Sequence, residues 1–192
     1  MERIFIIGPV RNVDAATYQA IASHVARLEA EGHKVHWPAR GDTNQDDPIG
    51  LRICTDNREA IYLATRVDVW FDETSMGSKF DLGMLYYFLG DTHKAFRVIN
   101  ERALGWRTSP VTLEDVLSKL CIALTGFTRK SIYISNELWI EVNTNVPDCL
   151  FFMGMAFASL RNQSKKIFIS NSAPILPTPH KSFENVFLEL AK

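Results

Sequence analysis

The chain has 192 residues, a formal net charge of −1, 46% apolar residues and 22% charged ones. That length holds one sizeable core or at most two small ones, and the composition is globular rather than disordered. A near-neutral charge offers no polycation to wrap nucleic acid and no basic stripe for a membrane surface, so neither is an expected partner.

Cys54, Cys121 and Cys149 are odd in number, far apart and without a CxxC pair, so neither a disulfide framework nor a zinc knuckle is suggested. Buried free thiols are the expectation. The apolar run from Ile4 to Val10 is too short for a signal segment or a membrane span and is followed by Arg11. A cytoplasmic protein is expected.

Ile4 to Gly8 is continuously apolar, as a strand buried on both faces would be. Gly8-Pro9 ends it, with Arg11 and Asn12 in the loop beyond. Tyr18, Ile21, Val25 and Leu28 recur at helical spacing, and Gly32 closes that helix. Lys34 to Trp37 reads as a second strand stopped by Pro38. This opening predicts a parallel βαβ unit.

Residues 39–50 are polar and turn-rich, a surface loop or a lid over a substrate. A helix over 51–65 follows, with Ile53, Ile61 and Ala64 inward, and then a strand from Val67 to Phe71. A polar loop leads into a helix with Phe80, Gly83, Met84, Tyr87 and Phe88 on one face and Asp81 in its first turn. Lys94 to Ile99 is the next strand.

Glu101 to Pro110 reads as a loop. Leu113, Val116, Leu117, Leu120 and Leu124 mark an amphipathic helix, and Ser131 to Val142 one or two strands. Cys149 to Leu160 is a helix and Lys166 to Ile169 a strand. Pro174, Pro177 and Pro179 force an extended crossing before a closing helix with Phe183, Val186, Phe187 and Leu190.

A shift of 71 positions lays Val67, Val69 and Phe71 over Leu138, Ile140 and Val142, Gly83-Met84 over Gly154-Met155, Lys94 over Lys165 and Asn100 over Asn171. Two similar strand-helix-strand units are implied. The second copy has Phe152 in the place of Asp81, and a structural role is expected for it.

In a parallel sheet, loops leaving the carboxyl ends of the strands meet on one edge. Here they carry Arg11 and Asn12, residues 40–47, residues 72–81, and Asn100. Two readings of Asp81 stand side by side. Ser78-x-x-Asp81 has the form of a capping box, with the acid answering its own helix. The alternative is a catalytic carboxylate at the mouth of the third strand.

Ser75-Met76-Gly77-Ser78-Lys79-Phe80-Asp81-Leu82-Gly83 resembles the catalytic signature of the nucleoside 2-deoxyribosyltransferase superfamily, which includes deoxynucleoside 5′-monophosphate N-glycosidases. Ile6-Ile7-Gly8-Pro9 resembles that family's first strand and glycine-rich loop, and the resemblance covers roughly residues 1–100. It implies a flavodoxin- or Rossmann-like α/β domain: a parallel sheet with helices on both faces, plus an extra strand-helix-strand unit in the C-terminal half. Residues 101–165 have no counterpart and read as an insertion or partial repeat, and residues 166–192 as a closing strand and helix of one domain.

The implied activity is cleavage of the N-glycosidic bond of 2′-deoxynucleosides or their 5′-monophosphates, without metal or cofactor. Asp81 stands at the nucleophile position. The family's further acid maps onto Asp56, Asn57 or Glu59, with Asp56-Asn57 preferred. Gly8, Pro9, Arg11, Ser75, Gly77 and Ser78 would hold substrate, with Arg11 and Ser75 on a 5′-phosphate and Trp37 available to stack on a base. A homo-oligomer is implied, in which Asn171 or Ser182 to Asn185 could reach a neighbour's site. The family's usual nucleophile is Glu; Asp pulls the carboxylate back by about an ångström, an error that can cost on the order of a hundredfold in rate. A nucleotide-binding protein without turnover is therefore the alternative. A flavin protein would share the fold but give no reason for the Ser-x-Gly-x-x-x-Asp pattern.

Overall fold

A computed structural model describes residues 1–40, 47–101, 110–122, 126–143, 146–161, 163–171 and 181–192. Its main sheet is made of β1 (Arg3–Ile7), β2 (Lys34–His36), β3 (Arg66–Val69) and β4 (Ala95–Val98), in the order β2-β1-β3-β4 and parallel throughout. Side chains alternate across a strand, and β1 shows why its run is continuously apolar. Ile4 and Ile6 pack with Ile21, Val25 and Leu28 of α1 (Ala15–Ala30). Phe5 and Ile7 enter the larger core on the opposite face, with Cys54 and Ile61 of α2 (Leu51–Leu63) and Met84 of α3 (Met76–Phe88). This is a Rossmann-like α/β sheet covered on both faces.

α1 is capped by Asp14, whose side chain accepts from the Thr17 amide. It ends as expected at Gly32, whose φ of 86° lies in the left-handed region that glycine adopts cheaply. α2 turns Cys54, Asn57 and Ile61 inward; Ile53, expected there, is only half-buried. Gly50, the N-cap of α2, has no side chain to offer, and Asp47 acts in its place. Its carboxylate accepts from the amides of Gly50 at 2.9 Å and Ile53 at 3.0 Å.

The C-terminal half continues with α4 (Leu113–Lys119), α5 (Gly126–Ile134), β5 (Glu137–Ile140), α6 (Pro147–Ser159), β6 (Lys166–Ile169) and α7 (Phe183–Leu190). β5 and β6 form a second parallel pair. A helix stands where the first part of Ser131 to Val142 was expected to be strand. Residues 41–46 of the expected loop or lid, residues 102–109, Leu124 and the prolines at 174, 177 and 179 lie outside the described residues.

Adding 71 to the bounds of β3, α3 and β4 reproduces those of β5, α6 and β6. The likeness extends to single hydrogen bonds. Asn100 accepts from the Phe71 amide at 2.9 Å and donates to the Phe71 carbonyl at 2.9 Å. Asn171 makes the same pair with Val142, at 2.8 and 2.9 Å. Lys94 Nζ donates to the carbonyls of Tyr62 (2.6 Å) and Ala64 (2.7 Å), and Lys165 Nζ to those of Ile132 (2.8 Å), Tyr133 (3.1 Å) and Ser135. Each lysine thus satisfies carbonyls that a helix end leaves open. The two units meet where α3 crosses α6, backbone against backbone. A Cβ on Gly83 would stand 2.0 Å from the Phe151 carbonyl oxygen, and one on Gly154 2.0 Å from that of Phe80.

Among the described residues, no helix is long and apolar enough to cross a membrane.

Candidate functional site

α3 begins earlier than its sequence suggests. Ser75 is its N-cap; the Ser75 hydroxyl oxygen accepts from the Ser78 amide at 3.3 Å, and the two hydroxyls lie 2.8 Å apart. Asp81 is therefore in the second turn, too far along to answer the first amides. The capping-box arrangement of Ser78 with Asp81 does not form. Asp81 is 8% exposed, and the side chain of Asn57 on α2 faces it.

The electrostatic consequence is the reverse of the one expected from a helix N-terminus. Burial pushes the Asp81 carboxyl up to about 7, and the Asn57 side chain opposes that shift only in part. At neutral pH the group is balanced between its two forms.

Asn57 is itself 8% exposed. Its Oδ1 lies 3.4 Å from His36 Nε2, so its amide nitrogen is the group left to face Asp81. His36 lies flat on Phe5, ring centroids 5.2 Å apart and planes 11° from parallel. Burial lowers the His36 pKa, opposed by the Asn57 bond and the charge of Asp56. Cys54 stands one turn before Asn57 on the same face of α2. Burial drives its thiol far above the usual range; the charges of Asp81 and Asp47 add to this, and Arg11 works against it. Cys54 is thus an inert thiol that places Asp81, Asp47 and Arg11 in one neighbourhood.

The Asp56, Asn57 and Glu59 ambiguity resolves by position. Asp56 turns to the surface and faces Arg52 at 3.8 Å. Glu59 pairs with Arg58 at 3.3 Å and with Arg161 at 2.8 Å. Only Asn57 meets Asp81.

The other expected positions divide. Arg11 is exposed, and its Nη1 donates to the Lys181 carbonyl at 3.3 Å. Ser75 and Ser78 are engaged with each other, and a Cβ on Gly77 would meet nothing within 4 Å. A Cβ on Gly8 would make only ordinary contact with Trp70 and Ile21. Trp37 does not line the Asp81 side. It is 5% exposed and packs with Ile4, Ile6 and Tyr18 on the opposite face of the sheet. His33, one residue before β2, pairs with Glu2 and Glu31.

Two cavities lie apart from the Asp81–Asn57 pair. One of about 500 Å³ lies at the carboxyl ends of β1 and β3, lined by Pro9, Asn12, Thr17, Trp70, Asp72 and Lys119 among others. Chain connections depart in opposite directions at this point of the sheet, the place where open α/β sheets bind ligands. The other, about 350 Å³, is apolar and lies in the second unit, lined by Leu138, Val146, Cys149, Phe152 and Met153 among others. It belongs to the copy with Phe152 in place of the acid. Asp81 lines neither.

Ser182 to Asn185, expected to reach a neighbour's site, packs within its own chain: Phe183 stacks on Phe80 with centroids 4.4 Å apart. Cys54 is buried, Cys149 half-buried and Cys121 exposed, so buried thiols describe only the first. Among the described residues, no three His, Cys, Asp or Glu side chains gather as a metal site.

In the sequence Cys54 reads only as a buried thiol, and His36, flanking a strand, as a surface or core residue rather than a catalytic one. Cys54, Asn57 and Ile61 recur at helical spacing, and that signal places an amide on the buried face. Compared with protein-family models and with curated proteins, the chain matches none.

Proposed function

We propose that this protein cleaves the N-glycosidic bond of 2′-deoxynucleosides or their 5′-monophosphates, with Asp81 as the nucleophile. The observation that carries the reading is the Asp81–Asn57 pair. A buried carboxyl in the second turn of α3 faces an amide side chain on α2 and does not cap its own helix. The residue pattern that resembles deoxyribosyltransferases supports the same assignment.

In this mechanism an oxygen of ionised Asp81 forms a bond to C1′ as the C1′–N bond breaks. The bonding pair leaves with the base, which takes up a proton from solvent water. Positive charge developing on the sugar ring favours the ionised carboxylate, and so draws Asp81 into its reactive form on substrate binding. Water or a second base then displaces Asp81 from C1′.

A second reading is a nucleotide-binding protein of the same fold without turnover. It is favoured by the 8% exposure of Asp81 and by the cavity at β1 and β3, which Asp81 does not line. Incubation with deoxynucleosides and their 5′-monophosphates separates the two. Free base that disappears in Asp81→Asn supports the enzyme; ligand binding with no release supports the second reading.

A further inference from the structure

We propose that the second unit docks an extended peptide of a partner protein, laid parallel to β5 in the place that β1 fills beside β3. A basic residue of that peptide lies toward Glu137, and two of its apolar side chains enter the cavity between α5 and α6. The inference is independent of the glycosidase reading. The 71-residue step carries β3, α3 and β4 onto β5, α6 and β6, and Ile61 of α2 onto Ile132 of α5. β1 is what the step leaves out: among the described residues, β5 is an edge, with β6 alone beside it. The cavity of about 350 Å³ lies along that edge. Its Ile132, Leu138, Ile140, Met153 and Ala156 are the counterparts of Ile61, Val67, Val69, Leu82 and Leu85, which share one core with Phe5 and Ile7 of β1. The cavity thus corresponds to the room that Phe5 and Ile7 fill in the first unit.

The backbone is set for the same pairing. The carbonyls of Asn136 and Ile140 accept from the amides of Lys166 and Ser170, each at 3.0 Å, and successive residues of a strand turn their polar groups to opposite edges. The amides of Trp139 and Glu141 therefore point to the open edge. In the first unit the Trp70 amide, counterpart of Glu141, donates to the Ile7 carbonyl at 2.8 Å. Charge then defines the partner. Arg66, opposite Ile4 of β1, donates to the Glu2 carboxylate at 2.6 Å. Glu137 stands in the place of Arg66 and is exposed, so the position of Glu2 on an added strand calls for Lys or Arg. The matching segment reads basic-x-x-apolar-x-apolar, after Glu2, Phe5 and Ile7. Trp139, 67% exposed and stacked on Phe168 with centroids 4.6 Å apart, adds apolar surface on the face where Asp68 of the first unit meets His24 of α1. A second copy of this chain fits less well. A two-fold axis would lay β5 antiparallel on itself and bring Glu137 and Glu141 toward their like. In strand addition the main chain supplies affinity, and alternate side chains supply specificity.

The probe is the peptide Lys-Thr-Thr-Phe-Thr-Ile-Thr, labelled at its N-terminus with fluorescein, beside the same peptide beginning with Glu. Each is titrated with the full chain and followed by fluorescence anisotropy. The Lys peptide is expected to bind saturably and about threefold more tightly than the Glu peptide, the scale of an exposed ion pair. Glu137→Lys is expected to reverse that order, and a peptide with Thr in place of Phe and Ile not to bind. Hydrogen exchange followed by NMR should slow at the amides of Trp139 and Glu141 when the unlabelled Lys peptide is added. No saturable binding of the Lys peptide overturns the proposal. So does an order of affinity that Glu137→Lys leaves unchanged, or exchange at both amides that the peptide does not slow. Should Glu137→Lys not fold, the comparison of peptides and the exchange on the unaltered chain decide in the same way. A dimer seen by light scattering that the Lys peptide does not dissociate assigns the edge to a second copy and overturns the proposal as well. None of these outcomes depends on base release.

Discussion

Gly83 and Gly154 each hold the other helix at backbone distance: the Cα of Gly83 abuts the Phe151 carbonyl, and that of Gly154 abuts the Phe80 carbonyl. The two contacts are related by the same 71-residue step that relates their strands. The α3–α6 crossing is therefore a paired joint between two similar units, and α3 carries both the joint and, at Asp81, the proposed chemistry. A methyl group at either glycine must push the helices apart, because the obstructing atom is a backbone oxygen. Gly83→Ala and Gly154→Ala are each expected to cost about 2 kcal/mol or more, at the upper end of overpacking. In a chain of this size that lowers Tm by roughly 4–8 °C. The double variant should cost less than the sum, since the first methyl has already separated the helices. Thermal unfolding of the four proteins checks this.

Asp81 makes stability depend on pH with a definite sign. Its folded pKa is raised from 3.8 to about 7, so the fold prefers the protonated acid. That preference contributes fully below about pH 4 and is lost as pH rises toward and through 7, with an upper limit on the order of 4 kcal/mol. Asp81→Asn, which cannot ionise, should gain stability relative to the unaltered protein at pH 8 and much less at pH 5. Urea denaturation at the two pH values measures the difference. Equal effects at both would contradict the buried, neutral-leaning carboxyl.

Much of the architecture was legible because its signals are local. β1 announced itself by apolar continuity, α1 by spacing and Gly32, and β6 by a short apolar run. α5 was not. Ser131 to Ile140 is rich in Ile, Tyr and Trp in a way that suits a strand, yet residues up to Ile134 are helical. The helix is the counterpart of the end of α2, and the 71-residue step carried that information: Tyr62 and Ala64, whose carbonyls bind Lys94, match Tyr133 and Ser135, which bind Lys165. In the site, Asp81 and the Asp56-Asn57 pair were named through the family resemblance, and sequence did not separate Asn57 from its neighbours. The cap was misplaced because Ser75 and Ser78 both suit the position, and local sequence does not choose between them. Trp37 was placed with the site because the sequence does not say which face of the sheet holds the acid; Trp37, just after β2, packs on the face away from Asp81.

Asp68 tests a different part of the fold. It is fully buried in β3 between Arg66, whose Nε donates at 2.9 Å, and His24, whose Nε2 lies 2.8 Å away. Burial would raise its pKa, but hydrogen bonds and charge from His24 and Arg66 outweigh burial and hold it below the usual carboxylate value. A depressed pKa contributes stability above about pH 4 that is lost as pH falls through the folded value. Asp68→Ala leaves the Arg66 guanidinium buried with one partner fewer, and a loss of about 3 kcal/mol or more is expected at pH 7. The loss should be smaller at pH 3. Denaturant midpoints at both pH values check it.

Asp56 and Asn57 separate by function. Asn57→Ala removes the N–H that faces Asp81; a hydrogen bond to a charged group contributes about 1.5–3 kcal/mol, so base release should fall roughly ten- to a hundredfold. Asp56→Ala, at the surface beside Arg52, should change the rate by less than about threefold. Initial rates of base release under identical conditions decide between them.

The most direct measurement is base release from 2′-deoxynucleosides and their 5′-monophosphates by the unaltered protein and by Asp81→Asn, with folding of the variant verified. Free base is expected from at least one of these substrates and none from Asp81→Asn. Release that persists in Asp81→Asn, or no release by the unaltered protein from any of them, would contradict it.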